Sequence, residues 1–175
     1  MKRDDFFAQL REQDWVLTNR LQEKVMAIVH GMGAAFEVGE VDIHPDERVV
    51  YVFGSFRGKR MRIMTSRPFE GPHADLSVEM YFSDHPDVVS EPFAQEIRRL
   101  SEEAGIDLFV RRTWLAMGTE ARGIATGEEL TALCDHLLTH VSQAEKLLKE
   151  EENAVPFEPK KATAAVPRRG ATLVN

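Results

Sequence analysis

The sequence contains a single cysteine, Cys134, among its 175 residues. An intramolecular disulfide is therefore impossible, and a zinc site built from several cysteines is excluded. The sequence also lacks a run of about 18 consecutive apolar residues, the length that a membrane-spanning helix needs. Near its start, Asp4 and Asp5 stand where a secretory signal peptide carries its apolar region. We therefore expect a soluble, cytoplasmic protein.

Signatures of catalysis are also missing. Serine, histidine and carboxylate residues are frequent, but they form no nucleophile elbow, phosphate loop or metal-ligand cluster. His136 and His140 stand four residues apart on a predicted helix, a spacing that allows two imidazoles to bind one metal ion. However, Leu137 occupies the position where a zinc-protease helix carries its glutamate, and no third ligand follows from spacing. The sequence predicts no cofactor and favours a non-catalytic protein; an enzyme of unrecognised type is an alternative.

Positive charge is scarcer than negative charge. The chain has 22 Lys and Arg against 29 Asp and Glu, a formal net charge of −7. Residues 153–175 contain four cations and one carboxylate, which leaves −10 on residues 1–152. An acidic body disfavours broad electrostatic attachment to nucleic acid or anionic lipid. Because residues 153–175 contain prolines and no apolar periodicity, we expect a single domain over 1–152 followed by a flexible basic tail.

Apolar spacing predicts an α+β domain. A long helix is expected from Asp4 to about Val29, and a second helix is expected after Ser90, which is suited to cap it. A third begins at the Thr126–Glu129 capping box and runs to the end of the domain. Strands are expected over 35–43, 48–56, 60–65, 75–82 and 106–117, with a further short strand over 119–125. We therefore expect an antiparallel sheet of about four to five strands, with the N-terminal, middle and long C-terminal helices packed against it.

Residues 57–67, RGKRMRIMTSR, contain five of the basic residues. A two-residue turn at Gly58 places Arg60 and Arg62 on the sheet face opposite Met61 and Ile63. On that face we expect the two arginines to meet carboxylates of the next strand, Asp75 and Glu79. Three cations then remain free at the ends of the hairpin: Arg57, Lys59 and Arg67. A solvated sheet face is the favoured interpretation, and a nucleic-acid contact made by the hairpin with the basic tail is the alternative.

Strand parity also selects apolar residues for binding a partner. It predicts that Tyr51, Phe53, Phe109 and Leu115 are exposed on their strands. A peptide that adds as an extra strand would form main-chain hydrogen bonds, and these side chains would select its sequence. Together with Arg57, Lys59 and Arg67, they form the predicted partner-binding set.

The order of the elements resembles a known group of proteins. The stretches that carry the resemblance are the hairpin VVYVFGSFRGKRMRIMT, the helix EPFAQEIRRLSEEAG and the closing helix EELTALCDHLLTHVSQAEKLL. This order is similar to that of the small bacterial class I chaperones of type III secretion and of the related YbjN group of sensory-transduction regulators. The resemblance covers residues 4–150. It implies a non-catalytic protein that binds extended segments of partner proteins, often as a homodimer.

Overall fold

The computed structural model describes residues 3–65, 74–86 and 89–154, with side chains from residue 8 to residue 153 of these ranges. It contains helices α1 (Arg3–His30), α2 (Glu91–Glu102) and α3 (Gly127–Ala154), and a short 3₁₀ turn at Gly33–Ala35. The strands are β1 (Phe36–His44), β2 (Val49–Phe56), β3 (Lys59–Thr65), β4 (Ala74–Ser83), β5 (Asp107–Val110) and β6 (Leu115–Ile124). The predicted α+β class is confirmed.

The six strands form one antiparallel sheet in the order β1-β2-β3-β4-β6-β5. The strand count therefore exceeds the expected four to five. The difference arises at residues 106–117, where alternation predicted one strand. Instead, the Arg111 amide donates a hydrogen bond to the Trp114 carbonyl at 3.0 Å. This turn separates β5 from β6 and lets them pair as a hairpin.

The β2–β3 hairpin has the predicted register. Arg57 and Gly58 both have positive φ angles, 47° and 81°, the conformation of a type I′ turn. The turn pairs Gly54 with Met61 and Val52 with Ile63. Even-numbered residues of β2 therefore share a face with odd-numbered residues of β3, and the arginines of β3 lie on the other face.

One face of the sheet is covered by the helices. The apolar side chains at the centre of this face are fully buried and form a single core with residues of all three helices, among them Val25, Val52, Ile63, Val78, Met80, Ile97, Leu137 and Val141. Gly31 at the end of α1 approaches Gly127 at the start of α3 so closely that a Cβ on Gly127 would lie 2.1 Å from the Gly31 carbonyl carbon. These glycines let the two helices meet over the sheet.

Both predicted helix caps are present. The Phe93 amide donates to the Ser90 hydroxyl at 3.2 Å. At α3, the Glu129 amide donates to the Thr126 hydroxyl at 3.2 Å, and the Thr126 amide donates to the Glu129 carboxylate at 3.1 Å. These bonds satisfy amides that have no partner within the helix. No helix in the described residues is both long enough and apolar enough to cross a membrane.

Candidate binding face

The opposite side of the sheet, which we call the open face, carries no covering helix among the described residues. Cross-strand register assigns its side chains. Phe53, Arg62, Glu79 and Gly118 form one row across β2, β3, β4 and β6. Glu40 of β1 and Asp107 of β5 extend this row at its two ends. Neighbouring rows contribute Glu37 and Asp42 from β1, Tyr51 from β2, Arg60 from β3, Tyr81 from β4, Glu120 from β6 and Phe109 from β5. The open face therefore combines aromatic rings with charges of both signs.

The rings on β2 form the first aromatic group of this face. Tyr51 and Phe53 are both half-buried and stack with their centroids 6.1 Å apart. The guanidinium of Arg62 lies 5.6 Å above the Tyr51 ring. Such a contact contributes about 0.5–1 kcal/mol at an exposed site. Tyr51 and Phe53 thus lie on the predicted face, but they are partly covered by each other and by Arg62.

A second aromatic group lies across β4 and the β5–β6 hairpin. The Tyr81 and Trp114 rings meet edge to face at 4.9 Å. Arg60 lies 4.7 Å over Tyr81, and Arg111 lies 5.4 Å over Phe109. Burial raises the pKa of Tyr81 above its ordinary value, since the neutral phenol is favoured where water is excluded; nearby Arg62 opposes this shift. The second group is larger than the first and includes the turn residue Trp114.

A buried carboxylate lies between the two aromatic groups. Glu79 is only 6% exposed, and it accepts a hydrogen bond from Arg62 Nη2 at 2.7 Å. Gly118 lies opposite Glu79, and a Cβ there would meet the Phe109 ring at 2.9 Å and the Glu79 side chain at 3.0 Å. The missing side chain at Gly118 therefore leaves room for the Phe109 ring next to the Glu79 side chain. The predicted Arg62–Glu79 pair is confirmed.

The predicted partner of Arg60 was wrong. Arg60 Nη2 donates to Asp84 Oδ1 at 2.6 Å, whereas Asp75 accepts from the Gly123 amide at 3.1 Å. Register explains the difference, because Met61 pairs with Met80 and Thr65 pairs with Leu76. Asp75 therefore lies at the far end of β4 from Arg60.

The expectation that Arg57 and Lys59 remain free was also wrong. Arg57 makes two hydrogen bonds to the Asp135 carboxylate, at 2.7 and 3.1 Å, and this bonding raises the pKa of Arg57. Lys59 pairs with Glu145. Both carboxylates belong to α3, which crosses the hairpin end of the sheet. Arg67, the third cation of that set, lies outside the described residues.

The four apolar residues of the predicted binding set have different positions. Tyr51, Phe53 and Phe109 lie on the open face, half-buried. Leu115 was expected to be exposed, but it is completely buried. β6 begins at Leu115, which therefore has the same parity as Met117 and points into the core. The turn between Arg111 and Trp114 therefore sets the parity of Leu115.

Sequence reasoning missed two members of the open face, Tyr81 and Trp114. Tyr81 has the same parity as Ser77 and Glu79 in β4, so strand alternation alone carried the signal that places it there. Trp114 belongs to the β5–β6 turn, and no sequence periodicity indicated that its ring contacts Tyr81.

The histidine pair and the cysteine provide no assembled reactive site. The His136 and His140 rings are 4.6 Å apart, and His140 Nδ1 lies 3.0 Å from the His136 carbonyl. Among the described residues, no group of three or more His, Cys, Asp or Glu side chains is arranged to hold a metal ion. Burial raises the pKa of the Cys134 thiol to about 12. The thiol is therefore protonated at neutral pH and is a poor nucleophile.

A second exposed apolar region lies on the first half of α1. Leu10, Trp15, Val16 and Leu17 are between 37% and 52% exposed, whereas Leu21 and Val25 further along the helix belong to the core. Asp14 is held by Arg48 of the β1–β2 turn, with Arg48 Nε donating to Asp14 Oδ1 at 2.7 Å. This half-helix is thus an apolar surface that the described residues leave uncovered, whereas the open face combines half-buried rings with charged groups.

No protein-family model, no curated protein and no solved structure matches this chain, so the resemblance to type III secretion chaperones stays a prediction.

Proposed function

We propose that this protein is a non-catalytic, cytoplasmic protein-binding module of the chaperone or adaptor type. The observation that carries the proposal is the open face, where half-buried rings on β2, β4 and β5 remain without a covering layer among the described residues. Aromatic side chains supply large contact area at a low cost in conformational entropy. An extended or helical segment of another protein would complete the burial of these rings.

Charge favours a polypeptide ligand over a nucleic acid. The open face carries carboxylates of β1, β4, β5 and β6, namely Glu37, Glu40, Asp42, Glu79, Asp107 and Glu120. The two arginines of β3 on this face already pair with Asp84 and Glu79. Affinity for nucleic acid comes mainly from cations that replace counterions at phosphates. The two arginines of β3 are instead paired with carboxylates of the protein itself. The acidic surplus instead suits a ligand with positive charge.

A peptide-selection experiment tests the proposal. Random peptides of about nine residues, the length of a long strand, are displayed and selected against the full chain. In a Trp15→Phe variant, Trp114 is the remaining tryptophan of the two in the sequence, and its ring touches Tyr81. We expect selected peptides to bind in titrations, and those seated near Tyr81 to shift the Trp114 emission.

Matched variants locate the binding. Tyr51→Ser with Phe53→Ser removes the β2 rings, and we expect this pair to weaken selected peptides at least about tenfold, equivalent to about 1.4 kcal/mol. Val38→Ser with Val110→Ser removes two exposed apolar side chains, 40% and 44% exposed, from strands at the two edges of the sheet, and should leave binding unchanged. Failure to enrich any peptide, or equal weakening by both pairs, would contradict the proposal.

The exposed half of α1 favours a second part of the proposal, a homodimer. Leu10 and Leu17 are seven residues apart and therefore lie on the same side of the helix. Beside them is a depression of about 470 Å³ lined by Gln9, Glu12, Gln13, Val16 and Leu17. We expect light scattering to give twice the monomer mass, and Leu10→Glu with Leu17→Glu to restore the monomer. A monomeric wild type at high protein concentration would refute this part.

A further inference from the structure

The outer edge of β1 is available for pairing among the described residues, because β1 pairs only with β2. A bulge interrupts its register between Val38 and Glu40, where the apolar residues of the sequence change from even to odd positions at Gly39–Glu40, and bulges restrict strand addition. From Glu40 to His44 the register is regular over five pairs with β2. Since hydrogen-bonded and non-hydrogen-bonded pairs alternate along an antiparallel ladder, every second residue of this segment directs its amide and carbonyl outward and can exchange main-chain hydrogen bonds with an added strand.

On the open face, this segment repeats one arrangement twice. Glu40 is paired with Phe53, and Asp42 is paired with Tyr51. Directly opposed residues have Cβ atoms about 4.5–5.5 Å apart, so each carboxylate lies beside an aromatic ring. A carboxylate next to a ring suits a guanidinium or ammonium group, which gains a charged hydrogen bond and a cation–π contact. Arg62 already lies 5.6 Å over the Tyr51 ring, so a ligand cation at Asp42 would share this ring with Arg62.

The charged neighbours of this segment leave its negative charge in excess. His44 Nε2 lies 3.0 Å from Asp42 Oδ2, and both side chains are about half exposed, at 43% and 53%. Arg62 is held by Glu79. A ligand cation at Asp42 would therefore compete with His44.

The other face of the same segment is apolar. Val41 and Ile43 alternate with the carboxylates and are only half-buried, because the core ends at this edge. A strand added here would place alternate side chains beside Val41 and Ile43, and the intervening ones beside Glu40 and Asp42. Residues two apart in a strand are separated by about 6.6–6.8 Å along the backbone, so alternate residues of the added strand have the same spacing as Glu40 and Asp42.

We propose that Glu40–His44 binds an extended segment of a partner protein in which basic and aliphatic residues alternate. This inference rests on the proposed protein-binding function and specifies its ligand. The main-chain bonds come from the edge of β1, the basic side chains meet the carboxylate–ring pairs, and the aliphatic side chains cover Val41 and Ile43. Alternation distinguishes this ligand from a block of positive charge, which would present half of its cations to the apolar face.

Three labelled peptides of about nine residues test the inference by fluorescence anisotropy on the full chain. In the first, Arg alternates with Val; the second has the same composition with its arginines in one block; in the third, Gln replaces Arg. We expect the first to bind at least about tenfold tighter than the other two, since about 1.4 kcal/mol from two cation sites corresponds to that factor.

Matched substitutions locate the cation sites. Glu40→Gln with Asp42→Asn should remove the preference for Arg over Gln. Glu150→Gln with Glu152→Gln removes the same charge from exposed positions of α3, away from the open face, and should leave the preference intact. Circular dichroism confirms that these exposed substitutions preserve the fold. Equal losses in both pairs would mean that overall charge alone attracts the peptide, which overturns the inference.

The remaining outcomes separate the inference from the proposed function. If the Gln peptide binds as tightly as the Arg peptide, the ligand's charge is wrong but protein binding stands. If none of the three binds while selected peptides do, the edge site is overturned alone; if no peptide of either kind binds, both fail. The last outcome concerns the chain's own residues 155–175, which contain four cations and one carboxylate. A full chain in which Lys160, Lys161, Arg168 and Arg169 are replaced by Gln, and which binds the Arg peptide about tenfold tighter, would assign the site to that segment and overturn the inference.

Discussion

The two faces of β3 are built by alternate residues of one strand, yet they are closed in different ways. Met61 and Ile63 point to the covered face and are completely buried by helices. Arg60 and Arg62 point to the open face, where their side chains are 59% and 23% exposed. On the covered face, aliphatic side chains from distant elements exclude water. On the open face, planar rings and guanidinium groups cover one another.

The covered face therefore mainly stabilises the fold, whereas the open face is the surface that we propose for recognition. A face sealed by helices has no remaining apolar surface to offer, whereas a face covered by its own flat side chains keeps ring area and polar atoms accessible. Glu79 is the exception, because it is a buried carboxylate on the open face. The following predictions test whether the two faces contribute to folding as unequally as their construction indicates.

The largest effect is expected from truncating the covered face. Ile63→Ala should lower the free energy of unfolding by about 2–5 kcal/mol, because it removes buried methyl groups and leaves a cavity in a close-packed core. Urea denaturation measures this change. Tyr51→Ala on the neighbouring strand of the open face is the control and should cost less. If Tyr51→Ala proves as destabilising as Ile63→Ala, the two faces contribute equally to stability, which contradicts the proposed difference between them.

The next largest effect is expected at Glu79. Glu79→Gln should destabilise the fold by about 1–3 kcal/mol, since Arg62 then loses its charged partner while part of it stays buried. The value lies below that of a fully buried pair because Arg62 remains 23% exposed. A double-mutant cycle with Arg62→Met isolates the pairwise contribution. Additive effects in the cycle would show that the 2.7 Å contact contributes nothing specific.

Local sequence signals predicted the parts of the fold that local chemistry decides. The Arg57–Gly58 turn fixed the register of β2 and β3, and the Gly39–Glu40 parity change located the bulge in β1. The caps at Ser90 and Thr126 were readable because their hydrogen bonds join residues three apart. Each of these features depends on backbone conformation or spacing within one segment.

Contacts between distant segments were not predictable in this way. The partners of Arg57 and Lys59 lie 78 and 86 residues away in α3, and only the path of that helix across the sheet brings them together. Leu115 was misplaced because the turn before it, closed by Arg111 and Trp114, carries neither glycine nor proline to mark it. Strand parity therefore predicted that Tyr51, Phe53 and Phe109 lie on the open face. It did not predict Trp114, whose position depends on tertiary packing.

A smaller effect is expected from Cys134, which lies on the covered side with Sγ 3.7 Å from Met61 Sδ. The pKa of its thiol is about 12 when folded, against an ordinary value of 9.0. Its contribution to stability is therefore complete below about pH 9 and is lost as the pH rises toward 12. Between about pH 8 and pH 10, wild type should lose on the order of 1 kcal/mol more than Cys134→Ala. Identical pH profiles would contradict a buried, protonated thiol.

The smallest effect on stability is expected at the hairpin end, where Arg57 and Lys59 pair with α3 on the surface. Surface pairs are screened by salt, so Arg57→Gln should shift the urea midpoint less than Glu79→Gln, and high salt should reduce the shift further.

The same substitution, combined with Lys59→Gln, tests the alternative function, nucleic-acid binding by the hairpin. If these cations held nucleic acid, their loss would lower retention on a single-stranded DNA column. Because Asp135 and Glu145 already match both charges, we expect retention to be weak in wild type and unchanged in the variant. Strong retention of the wild type that is lost in the variant would support the alternative, nucleic-acid binding by the hairpin.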